Sequence, residues 1–182
     1  PDPASWSACT IGGVVANNSS GMSSGTEFNT YNTLESMVFV LPSGTVIDTS
    51  APDADDRLRA LEPEIHEGLL RLRKRVVENP ESVARIRQQY SMKNTMGYGV
   101  NSLLDYSTPV DILQHLLIGS EGTLGFVASA TYRTLPIHKF VSTGLLVFDN
   151  LLDATRSVPE LVANHLATVE LMDATSIRVA QR

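Results

Sequence analysis

Two glycine-rich runs carry the residues best suited to holding a ligand against the main chain. The first is Gly12-Gly13 followed by Ala16-Asn17-Asn18-Ser19-Ser20-Gly21. The second is Gly119-Ser120-Glu121-Gly122-Thr123-Leu124-Gly125. Glycine removes the Cβ barrier, so backbone N–H groups can reach a phosphate without a counter-charge. Each run also has a plainer reading, the first as a Gly/Ser turn and the second as a helix C-cap followed by a β-bulge. Neither is a Walker A sequence, since no Gly-Lys-Ser/Thr follows, and neither fits G-x-G-x-x-G opening a helix after a strand. A third cluster, Lys93-Asn94-Thr95-Met96-Gly97-Tyr98, gathers a cation, an amide, a hydroxyl and a phenol. It is either a polar loop or a place for a carboxylate or carbonyl oxygen.

Other chemistries find little support. His66, His115, His138 and His165 have no metal-site spacing such as H-E-x-x-H, and no metal is expected. His66 and His115 fall on expected helices, where packing or surface roles are the ordinary ones. No G-x-S-x-G elbow accompanies them for a Ser-His-Asp triad. The single cysteine, Cys9, excludes an internal disulfide, a CxxC pair and a cysteine-ligated cluster within these 182 residues. A net charge of −6 and a pI near 5.1 argue against a nucleic-acid partner. No apolar run approaches the ~20 residues needed to span a bilayer.

Charge is unevenly placed. Residues 1–52 hold four acids (Asp2, Glu27, Glu35, Asp48) and no Lys or Arg, and Arg57 is the first base. An anion bound there would be held by backbone N–H donors. Residues 53–93 hold nine of the fourteen bases and eight of the twenty acids, as expected for a solvated helix face.

The elements that must position these residues follow from pattern. Residues 10–26 read as loop and turn, with a short helical or extended piece at Val14–Ala16. Met37–Leu41 and Thr45–Thr49 read as a hairpin around Pro42-Ser43-Gly44. Leu58, Leu61, Ile65, Leu69, Leu72 and Val76 form an apolar helical stripe that Pro63 divides, with Leu61 and Ile65 expected inside and Arg73 and Lys74 outside. Asn79-Pro80 stops that helix, and Val83, Ile86 and Tyr90 carry a shorter one. Pro109 opens another helix that ends at Gly119, and a strand follows at about 124–135. Beyond Pro136 the pattern reads strand (141–149), helix (150–165), strand (167–172) and helix from Asp173. The best boundary lies near Pro136–His138. Pro1 opens the chain with no Met and no signal-peptide pattern, which reads as a cut from a longer protein or a processed product.

Taken in order, Asp2-Pro3-Ala4-Ser5, the run from Thr10 to Asn18, Leu41-Pro42-Ser43-Gly44-Thr45-Val46 and the run from Leu117 to Gly125 resemble one family. It is the PCMH-type FAD-binding domain of the vanillyl-alcohol oxidase superfamily. FAD-linked D-lactate, glycolate and D-2-hydroxyglutarate dehydrogenases carry it. The helices at 53–90 followed by Lys93–Gly99 look like the long bacterial members, whose flavin domain is fused to an iron–sulfur domain. The resemblance implies an α+β fold. Residues 1–136 would be the second FAD subdomain, an antiparallel sheet flanked by helices with a helical insertion at 53–90. Residues 137–182 would begin a ferredoxin-like substrate cap. Where such proteins often read N-A-G-G, this chain has Asn18-Ser19-Ser20-Gly21.

The resemblance further implies an oxidoreductase. A D-2-hydroxy acid would give its α-hydrogen as hydride to FAD while a base takes the hydroxyl proton, and electrons would pass to a quinone or a carrier protein. FAD would contact Pro1, Asp2, Ser5, Thr10, Ile11, Gly12, Gly13, Ala16, Asn17, Asn18, Gly119, Glu121, Gly122, Gly125 and Val127. Lys93, Asn94 and Tyr98 would lie near the substrate. No catalytic base is assigned, and an iron–sulfur cluster is expected only outside these residues, if at all. The implied location is the cytoplasm, or the inner face of the membrane as a peripheral protein. Two other readings stay open: a flavin-dependent transferase or alcohol oxidase of the same superfamily, and a folded piece inactive by itself.

Overall fold

The computed structural model describes residues 1–137 and 139–181, so His138, one end of the expected boundary, lies outside the described residues. The chain divides into two compact units, Pro1–Thr134 and Leu135–Arg182.

The first unit opens with α1 (Ile11–Asn17), α2 (Thr30–Thr33) and the strands β1 (Leu34–Val40) and β2 (Val46–Asp48). Four helices follow: α3 (Ala54–Leu61), α4 (Pro63–Val77), α5 (Pro80–Tyr90) and the short α6 (Ser102–Asp105). It closes with α7 (Pro109–Leu117) and β3 (Phe126–Tyr132). The three strands form one antiparallel sheet in the order β2-β1-β3. β1 and β2 are the expected hairpin, with Val40 opposite Val46 and the Leu41 N–H bonded to the Thr45 carbonyl at 2.9 Å. The hairpin turn is tied to the α3–α4 junction, where the hydroxyls of Ser43 and Thr45 both donate to Glu62 Oε1. These bonds to the ionised form, Ser43's first and then Thr45's, hold the Glu62 carboxyl below its ordinary pKa.

α7 is the most deeply buried helix of this unit. Eight of its nine residues are buried, and Ile112, Leu117 and the following Ile118 are sealed together with Val15, Phe39, Ile47 and Leu58. Pro109 sits at the first helical position, as its fixed φ favours. Asp55 of α3 then reaches across, and its Oδ1 accepts from the Val110 N–H at 3.0 Å. Its other oxygen meets Nε2 of the buried His66 at 3.1 Å. Sequence spacing alone gives no sign of this cap. His66 and His115 both take packing roles.

One expectation is sharpened and two are corrected. The short helical or extended piece expected at Val14–Ala16 is a helix, and it is longer, Ile11–Asn17, because Thr10 Oγ1 accepts from the Gly13 N–H at 3.1 Å and the helix buries Val14 and Val15. Leu61 is 54% exposed, whereas Leu58 is fully buried. The break at Glu62 (φ −135, ψ 59) lets α4 restart at Pro63 on a new rotational phase, so one apolar stripe does not run through both helices. Arg73 is half-buried rather than outside, and its Nε donates to the Tyr106 carbonyl at 2.8 Å.

The second unit contains the two expected helices, α8 (Leu151–Ala163) and α9 (Ala174–Ala180). Asn150 and Asp173 cap them, accepting from the N–H groups of Asp153 and Ser176. The strands expected at 141–149 and 167–172 are not formed. A strand exists only where its ladder is paired, and among the described residues none pairs with either segment. No helix of the described residues is long and apolar enough to cross a membrane.

Candidate functional site

The site begins with the end of α1. Asn18 adopts the left-handed conformation (φ 53, ψ 42) and stops the helix, and the Ser19 N–H then bonds the Val14 carbonyl at 2.9 Å. The chain emerges as a turn, 18–21, in which the carbonyls of Ser19, Ser20 and Gly21 are each taken by a side chain. Thr30 Oγ1 donates to the Ser19 carbonyl at 2.9 Å. Lys93 Nζ donates to the carbonyls of Ser20 at 3.3 Å and Gly21 at 2.9 Å. The N-terminal segment crosses so close that a Cβ on Gly21 would stand 1.6 Å from the Asp2 carbonyl oxygen.

The second glycine run braces the same turn. The Gly119 N–H donates to the Val15 carbonyl at 3.0 Å, and the Glu121 N–H to the Ala16 carbonyl at 2.8 Å. The side chains repeat the tie: Asn17 Nδ2 donates to Glu121 Oε1, and Ser19 Oγ to Asn17 Oδ1, both at 2.8 Å. The third cluster arrives from the exit of α5. The Tyr98 hydroxyl and Thr123 Oγ1 share a hydrogen bond of 2.7 Å, and the Tyr90 hydroxyl donates to the Tyr98 carbonyl at 3.0 Å. All three runs singled out in the sequence therefore meet at one place.

An open cleft of about 480 Å³ lies there, lined by Pro3, Ala4, Ser5, Asn17, Asn18, Ser19, Ser20, Thr95 and Met96. Of the residues expected to touch a cofactor, Ser5, Asn17 and Asn18 line it. Thr10, Ile11, Gly12, Gly13 and Ala16 belong to α1 or its cap, and Gly12 is packed so that a Cβ would lie 3.2 Å from the Val127 carbonyl oxygen. Gly119 and Glu121 brace the turn instead of lining the cleft. Gly122 has open space around its Cβ position, whereas one on Gly125 would stand 2.9 Å from the Val40 carbonyl oxygen. Pro1 and Asp2 belong to the crossing segment. Asn94 lines a separate polar pocket of about 50 Å³ beside Asn18, Tyr31 and Asn101, and Tyr98 braces Thr123. Pro3, Ala4, Ser19, Ser20, Thr95 and Met96 line the cleft without having been expected contacts, although each lies within two residues of one that was. Their neighbours' polar types marked the place.

The lining carries no charged side chain. Two of its polar atoms, Asn18 Oδ1 and Ser20 Oγ, are buried with no partner. Orphaned polar atoms at the edge of a cleft fit a polar, hydroxyl-bearing ligand that completes their hydrogen bonds. The buried Tyr31 and His115 and the half-buried Tyr106 form an aromatic group. The Tyr106 and His115 rings stack with centroids 4.0 Å apart. The His115 Nδ1–H donates to the Asp111 carbonyl at 2.8 Å, and the Tyr106 hydroxyl donates to Nε2 at 2.9 Å. Burial pushes the His115 pKa down. Burial first, and then the Asp105 carboxylate that accepts its hydroxyl at 2.8 Å, push Tyr31 up.

Residues 1–50, which include α1 and the turn, match the FAD binding domain family. Over its whole length the chain is 25% identical to a D-2-hydroxyglutarate dehydrogenase of Haemophilus influenzae, covering 18% of that protein. It is 26% identical, over 92% of its length, to a D-lactate dehydrogenase of Anaerostipes hadrus, covering 24% of that protein. A D-2-hydroxyglutarate dehydrogenase of Pseudomonas putida is 23% identical over the whole chain, which again covers 18% of it. The chain thus spans between 18% and 24% of the length of these relatives. No solved structure matches it. The three-stranded antiparallel sheet with flanking helices fits the subdomain expected of an FAD binding domain of this type.

Proposed function

We propose that this chain is part of a flavin-dependent dehydrogenase that oxidises a D-2-hydroxy acid. The observation that carries the reading is one uncharged cleft lined by residues 17–20 and 95–96, with the 119–123 run bracing its wall, within and beside the segment that matches the FAD binding domain family. The names of the relatives supply the substrate class.

Bound in the cleft, FAD would supply a hydride acceptor for the α-hydrogen of the acid. The chain's own part is to hold it. Asn18 Oδ1 offers an acceptor, Ser20 Oγ a hydroxyl, and Ser5 and Asn17 further polar contacts along the lining. Thr95 and the exposed Met96 line the same cleft. No Lys or Arg precedes Arg57, so a diphosphate here would rest on main-chain N–H groups, with the ammonium of Lys93 reaching the turn from the 93–98 loop. Residues 137–182 would begin the substrate cap, and a quinone or carrier protein would receive the electrons.

Purified full-length protein tests the reading. It should be yellow, and anaerobic addition of D-2-hydroxyglutarate, D-lactate or glycolate should bleach the flavin band with one of them. A preparation that takes up no FAD, or a bound flavin that none of the three acids reduces, overturns it. The described residues alone should hold FAD weakly, since they offer only part of the contacts. Stoichiometric, tight titration of the isolated chain would show that these residues suffice.

A further inference from the structure

Lys93, an exposed cation in a polar loop expected near the substrate, makes contacts that its sequence neighbours do not announce. Its ammonium donates to two main-chain carbonyls, those of Ser20 and Gly21. These belong to the turn that forms one wall of the cleft. The neighbouring Ser19 carbonyl is held by Thr30 Oγ1, which is fully buried. Three successive carbonyls are thus turned away to side-chain donors. The same turn presents the two unpartnered atoms, Asn18 Oδ1 and Ser20 Oγ.

We propose that Lys93 is a positioning residue for the cofactor cleft, acting through the 18–21 turn rather than on the substrate. The proposal rests on the FAD reading above. Its physical basis is preorganisation. A turn rich in Ser, Asn and Gly has many conformations, and each one frozen in advance is one that the ligand need not order on binding. A charge-assisted bond is the strong kind, and Lys93 makes two of them to adjacent carbonyls. The other end of its loop is fixed by Tyr98 on Thr123 and by Tyr90 on the Tyr98 carbonyl. Lys93 is therefore the link by which the helices at 54–90, remote from the cleft in sequence, set the cleft's shape. It is also the point at which positive charge first reaches a region that has none of its own before Arg57.

The test uses full-length protein with Lys93→Met, which keeps the length of the stem without the charge, and Lys93→Arg, which keeps charge and donors. Two readouts are needed: amide hydrogen exchange of residues 17–22 without ligand, and FAD affinity by quenching of flavin fluorescence. Lys93→Met should speed exchange in that segment and weaken FAD by about tenfold, the worth of a hydrogen bond to a charged group. Its melting temperature should stay close to that of the parent, and Lys93→Arg should restore both readouts. Unchanged exchange in Lys93→Met overturns the proposal. So does faster exchange with unaltered FAD affinity, or a loss that Lys93→Arg does not restore. If the parent protein itself binds no FAD, the flavin reading falls and this proposal falls with it, whereas the other adverse results sink the proposal alone.

Discussion

A Cβ built on Gly119 would stand 2.4 Å from the carbonyl oxygen of Gly97. The second glycine run and the 93–98 loop are therefore in main-chain contact, with no room for a methyl group. Gly119 also has φ +77, a conformation that side chains rarely adopt. Gly119→Ala should cost about 2–4 kcal/mol, since strain and a backbone clash act together. Gly122 has a similar φ of +75 but open space around it, so packing gives no reason for glycine there. Gly122→Ala should cost only the strain, about 1 kcal/mol. Thermal melts of the pair check this. A loss in Gly122→Ala as large as in Gly119→Ala would mean that the two loops do not touch as described.

The elements around this contact were legible to different degrees. The hairpin at 34–48 and the Pro109 helix declare themselves, because Pro-Ser-Gly and Thr-Pro are local signals with local causes. The three candidate runs were legible as well, through the density of Gly, Asn, Ser and Thr. What joins them was not. The bonds from Lys93 to Ser20 and Gly21 span more than 70 positions, and Asn17 to Glu121 spans 104. Nothing in a residue's neighbours announces such a partner. Leu61 fails for the opposite reason: its spacing fits the stripe, but the break at Glu62 turns the following helix, and periodicity cannot carry across a break.

The corrected face of that helix pair gives a direct comparison. Leu58 is fully buried in the core, so Leu58→Ala should cost about 2–5 kcal/mol. Leu61, more than half exposed, should tolerate Ala within about 1 kcal/mol. Arg73→Ala removes the donor to the Tyr106 carbonyl and some packed stem, and should cost about 1 kcal/mol. Urea titrations of the three variants should rank Leu58 well above the other two. Leu61→Ala matching Leu58→Ala would restore the continuous stripe.

Asp55 joins α3, α4 and α7 through one carboxylate, bonded to the Val110 N–H and to His66. No side chain of Thr108 caps α7, so Asp55 serves in its place from a distant part of the sequence. Asp55→Ala should cost about 1–2 kcal/mol, as the loss of a helix cap does. Asp55→Asn keeps an oxygen for Val110 and should recover part of the loss. Equal losses in the two variants would show that the charge beside His66 matters and the cap does not.

His115 makes the stability of this unit sensitive to mild acid. The imidazole is buried, and burial outweighs the nearby Asp111 and Asp105 in setting its pKa, which lies below the ordinary 6.5. The neutral ring donates from Nδ1 to the Asp111 carbonyl and accepts at Nε2 from Tyr106, so a proton added at Nε2 would displace that donor. In the unfolded chain His115 takes up its proton near pH 6.5, while in the folded chain it resists. Between the two values the unfolded state binds more protons, so stability rises with pH and falls as acid is added. The loss should begin near pH 6.5 and level off below the folded-state pKa. Asp48 and Glu62 also have lowered pKa values, and their contributions disappear only at more acid pH, below their ordinary 3.8 and 4.5. The interval from about pH 7 to pH 5 therefore separates the histidine from these carboxylates. His115→Phe keeps a ring against Tyr106 and removes the titration. The variant should be less stable at neutral pH, for want of two hydrogen bonds, yet flatter across that interval. Denaturant melts at several pH values give the slope, and an equal slope in parent and variant would place the acid sensitivity elsewhere.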